Sequence, residues 1–204
     1  MTDDELRGAL ALCAITDDLR DGIDGLVARA VAAQQGGATM VQLRLKHADA
    51  RLLVEAARAL LGALHVPLVV NDRVDVALAA GAAGAHLGAD DLPIAAARAI
   101  VPAGFILGAS VGSEDEVANG RLADYVGIGP VFGTTSKADA GAAIGVPRFG
   151  ELAKAVARPA LAIGGVEASH LPGLLAAGAA GVAVIRAVFG QDDPRAAAAT
   201  FRAH

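Results

Sequence analysis

Asp72 and Asp91 are the residues of this 204-residue chain whose type and spacing most directly offer chemistry. Each closes a short apolar run: Leu68-Val69-Val70 stops at Asn71-Asp72-Arg73, and residues 84–88 stop at Asp90-Asp91. A helical stretch, residues 74–80, lies between the two runs and ends at Gly81. In parallel α/β folds ligands gather at the carboxyl ends of the strands, so carboxylates closing two successive strands can face one cavity. Together with the Asn71 amide they suit a hard divalent cation such as Mg2+, whose shell is completed by water and substrate phosphate. A structural alternative stands beside this: Asp72 and Asp91 could each cap the helix that follows, with Pro93 in the first turn of the second.

The elements that must position these carboxylates follow from the spacing of apolar runs. Strands are expected at residues 10–15, 39–43, 68–70, 84–88, 105–109, 125–128, 160–163 and 182–185. Helical stretches separate them, at residues 23–33, after Asp49 with the apolar stripe Leu53, Ala57, Leu60 and Leu64, at 74–80, 94–100, from 113, 147–157 and 171–177, with a last one from Pro194 towards Phe201. Asp49 reads as an N-cap, and Ser113-Glu114-Asp115-Glu116 matches a capping box. The strand runs are short and apolar on both faces, as parallel strands covered by helices are. The segment Leu78-Ala79-Ala80-Gly81-Ala82-Ala83-Gly84 recurs word for word at residues 175–181, four strand–helix units later, as two half-barrels would show. These features predict a single-domain (β/α)8 TIM barrel over residues 1–204. A doubly wound open sheet is the competitor, but no Gly-rich turn follows the first strand.

Composition narrows the function. Hydrophobic residues make up 54% of the chain and aromatic ones only 3%, so the core is built from Ala, Val, Leu and Ile. The net charge of -5 and the lack of any basic run argue against nucleic acid as a partner. The single Cys13 excludes an intrachain disulfide and reads as a small core hydrophobe. The start of the chain is acidic, without a signal-peptide pattern, and its longest apolar run is short and broken by Pro172 and glycines. A cytoplasmic location without membrane contact is expected. The oligomeric state is left open.

On a barrel the polar residues fall on one rim. Gln42, Arg44 and Lys46 come from strand 2, Asn71 and Asp72 from strand 3, Asp91 from strand 4 and Ser110 from strand 5. Thr134, Ser136 and Lys137 come from a long loop after strand 6, Gly164-Gly165 from the end of strand 7, and Ile185-Arg186 from the end of strand 8. Loops after the last two strands are the usual phosphate site of such barrels, where backbone N–H groups face the anion. Arg44, Lys46 and Lys137 add cations sufficient for a second, more highly charged phosphate beside a metal. Singly, each residue has a plain structural use as a rim charge, a solvated loop or a tight turn; their gathering on one rim favours the phosphate reading. A loop of the length seen after strand 6 reads as a lid. His86, between Ala85 and Leu87, reads as a barrel-interior or wall histidine, and the five histidines do not cluster at metal-ligand spacing.

These segments resemble the successive motifs of a known family. Gln42-Leu43-Arg44-Leu45-Lys46, Asn71-Asp72-Arg73-Val74-Asp75, His86-Leu87-Gly88-Ala89-Asp90-Asp91-Leu92-Pro93, Asp124-Tyr125-Val126-Gly127-Ile128-Gly129-Pro130-Val131-Phe132, Thr134-Thr135-Ser136-Lys137 and Ala162-Ile163-Gly164-Gly165-Val166 are similar, in order, to those of thiamine-phosphate synthases. The resemblance implies a (β/α)8 barrel and a Mg2+-dependent transfer. In that reaction 4-amino-2-methyl-5-pyrimidinylmethyl diphosphate loses diphosphate to the nitrogen of 4-methyl-5-(2-phosphooxyethyl)thiazole. It implies that Asp72 and Asp91 hold Mg2+. Gln42, Arg44, Lys46, Asn71, Ser110 and Lys137 would contact the pyrimidine diphosphate, with Arg44, Lys46, Ser110 and Lys137 catalytic. Thr134, Ser136, Gly165, Ile185 and Arg186 would contact the thiazole phosphate.

Two positions depart from the family pattern: Leu45 where Glu is common, and Arg186 where Ser is common. Arg186 could add charge to the phosphate site or crowd it. Two other functions compete. A thiazole tautomerase on the same barrel would use a His just after strand 5 and lack the carboxylate at position 72; here Ser110-Val111-Gly112 holds no His and Asp72 is present. A non-catalytic sensor of phosphorylated ligands would not need the metal carboxylates or Lys137, all of which are retained.

Overall fold

The computed structural model describes residues 2–134 and 141–202. The apolar runs become eight strands: β1 Leu12–Ile15, β2 Met40–Leu43, β3 Leu68–Asn71, β4 Gly84–Leu87, β5 Ile106–Val111, β6 Tyr125–Ile128, β7 Ala160–Ile163 and β8 Gly181–Val184. All pair in parallel in chain order, and β1 pairs with β8, so the sheet closes into a barrel. The helices are α1 Asp3–Ala9, α2 Gly22–Gly36, α3 Ala50–Ala63, α4 Val74–Ala80, α5 Ile94–Ile100, α6 Val117–Gly120, α7 Gly145–Val156, α8 Leu171–Ala176 and α9 Pro194–Ala199. The expected (β/α)8 barrel is the observed fold.

The strand alternation sorts the core into two shells. Outward residues such as Val41, Leu43, Val70, Leu107, Val126 and Val182 pack against Leu26, Leu53, Leu60, Ile94, Phe149, Leu152 and Leu174 of the surrounding helices. Inward residues Cys13, Ile15, Met40, Val69, Ile106, Tyr125, Leu161 and Ala183 form a separate inner cluster with Leu6, Ala9 and Leu10. Cys13 is fully buried, and burial pushes its thiol up to about 12, as an inert core hydrophobe requires. The recurring seven-residue segment spans a helix end and a strand start in both copies, α4 into β4 and α8 into β8.

α1 departs from the sequence expectation. Residue 10 does not begin a strand: the Leu10 N–H bonds back to the Leu6 carbonyl, and Leu10 is the C-cap of α1. A capping box opens this helix, with the Thr2 N–H on Glu5 at 2.7 Å and the Glu5 N–H on the Thr2 hydroxyl at 3.3 Å. Thr39, just before β2, donates its hydroxyl to the Ala9 carbonyl at 2.9 Å, which ties the end of α1 to the amino-terminal end of the barrel. Leu6, Ala9 and Leu10 therefore plug that end with apolar side chains. Asp49 caps α3 as expected, accepting from the Leu52 N–H at 2.9 Å. The box at Ser113 opens a 3-10 turn, Glu114–Glu116, ahead of a short α6. Among the described residues no helix is long and apolar enough to cross a membrane.

Candidate active site

The carboxyl ends of the strands carry the polar residues. β3 ends at Asn71 and β4 at Leu87, and these strands are neighbours with Asn71 in register with His86. Asp72 follows β3 directly: its N–H continues the ladder to the His86 carbonyl at 2.8 Å, and its backbone turns left-handed at φ 63. Aspartate tolerates this conformation better than most residues. Asp91 folds back on the turn after β4 and accepts from the Gly88 N–H at 2.7 Å. The two carboxylates thus leave adjacent strands on the same rim. Neither is the N-cap of the next helix: Arg73 takes that position for α4 and Pro93 for α5, with no side-chain cap bond at either. The capping alternative fails on both counts.

A cavity of about 160 Å3 opens beside Asp72, lined by Arg44, Leu45, Lys46, Ala48, Leu53, Asn71, Asp72 and Arg73. The backbone that carries Arg44 is braced from β1. Thr16, wholly buried, accepts from the Arg44 N–H at 2.8 Å and donates to the Arg44 carbonyl at 3.1 Å. No sequence motif marks this brace, because its two ends are joined only by the pairing of β1 with β2. Leu45 packs against the outer apolar shell, so the residue that replaces the common Glu is part of the wall between barrel and helices. Arg73 is engaged by its neighbour: Asp75 takes its Nε at 2.8 Å and a terminal nitrogen at 2.6 Å. That hydrogen bond holds the Asp75 carboxyl below its ordinary range and raises the guanidinium.

Gln42 shares the inward parity of Met40 on β2 and is buried. Ser110, one residue before the end of β5, lies 3.2 Å from His86 Nε2, and His86 Nδ1 lies 3.1 Å from the Tyr125 hydroxyl. The imidazole is therefore a barrel-interior group, as its alternation with Ala85 and Leu87 implied. Tyr125, at the start of β6, is a polar interior residue that sequence reading passed over; its signal was being the sole tyrosine, on an otherwise apolar strand.

Across the mouth the loops after β6 and β7 are stitched together. The Val131 N–H bonds to the Ile163 carbonyl at 2.8 Å and the Phe132 N–H to the Gly164 carbonyl at 2.9 Å. Gly164 and Gly165 have φ of 92° and 62°, and a Cβ on them would run into Pro130 and Phe132 respectively. The glycines are thus demanded by this close approach of two loops as well as by any anion. Both ends of the long loop are anchored, since the Ile144 N–H returns to the Pro130 carbonyl and the Gly145 N–H to the Val131 carbonyl. Thr134 lies at the described edge of this loop; Ser136 and Lys137 lie outside the described residues. Ile185 and Arg186 follow β8, where the Phe189 N–H bonds to the Ile185 carbonyl at 2.8 Å and the Arg186 side chain is exposed.

The donor set fits a hard cation. Two carboxylates and an amide stand at adjacent strand ends, and His86, the imidazole of β4, bonds to Tyr125 and Ser110. Among the described residues no three His, Cys, Asp or Glu side chains form a metal cage. Mg2+ needs none when phosphate and water fill its shell.

Comparison with known proteins gives a consistent picture. A family model described as "Thiamine monophosphate synthase" matches residues 12–188. The chain is 46% identical over 198 residues to a thiamine-phosphate synthase of Azorhizobium caulinodans, covering 95% of this chain and 93% of that one. It is 49% identical over 184 residues to a thiamine-phosphate synthase of Methanoculleus marisnigri, covering 86% and 85%. The structure of a thiamine phosphate pyrophosphorylase from Pyrococcus furiosus superposes with a TM-score of 0.85 at 38% identity, over 97% of this chain and 96% of that one. A 3-hexulose-6-phosphate synthase, at 19% identity and a TM-score of 0.69, shares the barrel alone. The chain belongs to the thiamine monophosphate synthase family, whose members are transferases.

Proposed function

We propose that this chain condenses 4-amino-2-methyl-5-pyrimidinylmethyl diphosphate with 4-methyl-5-(2-phosphooxyethyl)thiazole, releasing thiamine phosphate and diphosphate. What supports the reading most is one rim that carries Asp72 and Asp91 on adjacent strand ends beside the cavity lined by Arg44 and Lys46. In the reaction the methylene C–O bond to diphosphate breaks, the electron pair leaves with the oxygen, and the thiazole nitrogen forms the new C–N bond. The pyrimidine amino group delocalises the positive charge on the methylene, so no protein nucleophile or base is required.

Asp72 and Asp91, with Asn71 near, would hold Mg2+. Bound there with the diphosphate, the ion would supply charge neutralisation to the leaving group. The chain's own groups add to this. Arg44 and Lys46 face the same cavity, and Lys137 from the β6 loop is the third cation proposed for the leaving group. Thr16 keeps the Arg44 backbone in place, so the guanidinium starts from a fixed point. Gln42 and Ser110 point inward beneath the mouth and would orient the pyrimidine. Thr134, Ser136, Gly165, Ile185 and Arg186 would hold the thiazole phosphate on the opposite side. Closure of the β6 loop would exclude water that otherwise captures the cation.

The test is direct. Purified chain with both phosphorylated substrates and Mg2+ is expected to form thiamine phosphate, read by fluorescence after oxidation, and to stop forming it when a chelator is added. Product no higher than in a no-enzyme control would overturn the proposal; chelator-resistant turnover would overturn the metal assignment alone.

A further inference from the structure

β1 and β8 meet at the seam that closes the barrel, where Leu12, Cys13 and Ala14 pair with Val182, Ala183 and Val184. Beyond this seam each strand gives way to a loop at the mouth. After β8 the chain makes a helical turn: the Val188 and Phe189 N–H groups return to the Ile185 carbonyl at 3.1 and 2.8 Å. The turn carries Ile185 and Arg186 at its start and buries Val188 and Phe189 in the outer apolar shell. It is tight, since a Cβ on Gly190 would overlap the Arg186 carbonyl oxygen. The end of such a turn leaves carbonyls without a partner along the chain. Here the Phe189 carbonyl accepts from Arg20 Nη2 at 2.8 Å, and Arg20 comes from the loop after β1.

The β1 loop is itself held in shape. Leu19 packs on the outer shell, and the Gly22 N–H returns to the Leu19 carbonyl at 2.8 Å. The Arg20 N–H donates to the Asp18 carboxylate at 3.2 Å. From α2 the buried Arg29 guanidinium donates to the Asp18 carbonyl at 2.8 Å and lies 3.5 Å from the carboxylates of Asp17 and Asp21. The same loop steers the Arg20 fork. Asp17 lies 3.9 Å from Nη1, and Asp18 and Asp21 lie 4.0 and 3.8 Å from Nε. These carboxylates flank one edge of the guanidinium and leave Nη2 aimed at Phe189. A planar fork fixed on one edge loses little freedom when it donates from the other.

We propose that Arg20 is a positioning residue for the second substrate: by bridging the β1 loop to the Phe189 carbonyl it holds the turn after β8, and with it Ile185 and Arg186, in place for the thiazole phosphate. The identity of that phosphate rests on the proposed synthase reaction; the clamp does not. Arg20 is not among the residues lining the cavity beside Asp72, so its loss should spare the pyrimidine diphosphate. A turn held before the ligand arrives costs no ordering when it binds.

Two measurements on the full chain test it with Arg20→Met, which keeps an aliphatic stem and removes the fork. The Arg20 side chain is 43% exposed, so the core should survive its loss. The first measurement follows hydrogen exchange in the peptide spanning residues 185–191. Exchange should become about tenfold faster in the variant, the worth of one hydrogen bond. Unchanged exchange overturns the proposal. The second is steady-state turnover with each substrate varied in turn. The KM for the thiazole phosphate should rise about fivefold to tenfold while that for the pyrimidine diphosphate stays as it was. A merely structural arginine would move both alike, so faster exchange without this selective rise also overturns the proposal. If the wild-type chain makes no thiamine phosphate, the proposed function falls and exchange alone decides the clamp. If Arg20→Met does not fold, Arg20→Lys, which keeps the charge and loses the fork, decides by the same two readings, in the same direction and smaller.

Discussion

Between β2 and β5 the mouth of the barrel is lined by side chains: Gln42, Arg44 and Lys46, then Asn71 and Asp72, then Asp91 and Ser110. Between β6 and β8 the described residues contribute mainly main chain, with the Gly164 and Gly165 turn pressed against Pro130 and Phe132 and a helical turn closing after Ile185. The first half offers charge and carries its own supports, Thr16 under Arg44 and His86 under Ser110. The second half offers backbone N–H groups, and its shape depends on two loops being able to touch. Substitutions should therefore do different things on the two sides. In the side-chain half they should remove chemistry and leave the fold; in the main-chain half they should disturb the fold first.

The largest effect is expected in the side-chain half. Asp72→Asn removes the charge while keeping a residue that tolerates φ of 63°. Turnover should fall by about 10^2–10^3-fold, the scale of losing one preorganised electrostatic contact. Thermal unfolding should scarcely move, because Asp72 is exposed and caps no helix. A large loss of stability with turnover intact would reverse the contrast between the halves.

Next comes Gly164→Ala in the main-chain half. The residue sits at φ of 92°, and a methyl group there would collide with Pro130. Strain of this kind costs on the order of 1–3 kcal/mol, measurable as a lowered denaturant midpoint. Any loss of activity should follow the altered loop contact. A variant of unchanged stability would mean that the two loops are not pressed together in solution.

The same contrast governs what could be read from the sequence. Residue type alone carries most of the side-chain half, because a carboxylate at a strand end or a cation on a rim shows its chemistry by name. The strands were legible from apolar runs bounded by Gly and Asp, and the closed barrel from their count and the repeated segment. Supports were not legible. Thr16 meets Arg44 across strands that are 28 residues apart in sequence, and His86 meets Tyr125 only once the barrel has closed. α1 was missed because its capping box stands in a charged stretch whose few apolar residues, Leu6, Ala9 and Leu10, face an end of the barrel that does not exist until the sheet closes. In the main-chain half the glycines announced a special backbone, but the loop that presses on them comes from the end of another strand.

Arg186 tests whether the main-chain half borrows a side chain. Its guanidinium is exposed and its carbonyl accepts from the Gln191 amide at 2.9 Å. In Arg186→Ser the KM for the thiazole phosphate should rise by no more than about fivefold, the upper end for an exposed ion pair, and the rise should shrink as salt is added. An unchanged KM would leave phosphate binding on that side to the backbone.

The smallest effect is expected at Asp75, where the side-chain half meets its surroundings. Asp75 holds Arg73, a cation that lines the cavity, and so keeps that charge from joining Arg44 and Lys46. The hydrogen bond from Arg73 lowers the Asp75 carboxyl below its unfolded value. The folded state therefore binds the proton less readily than the unfolded one, and the contribution is fully present above the ordinary carboxylate range. It is lost as pH falls through the lowered folded value. Because the Asp75 side chain is 66% exposed, solvent screens the pair to about 0–1 kcal/mol. Asp75→Asn should then lower stability slightly at neutral pH and match the wild type in strong acid. If it also tightens binding of the pyrimidine diphosphate, the released Arg73 has entered the cationic set, and the side-chain half holds one more charge than it uses. If stability falls equally at both pH values, the pair acts through packing and not through charge.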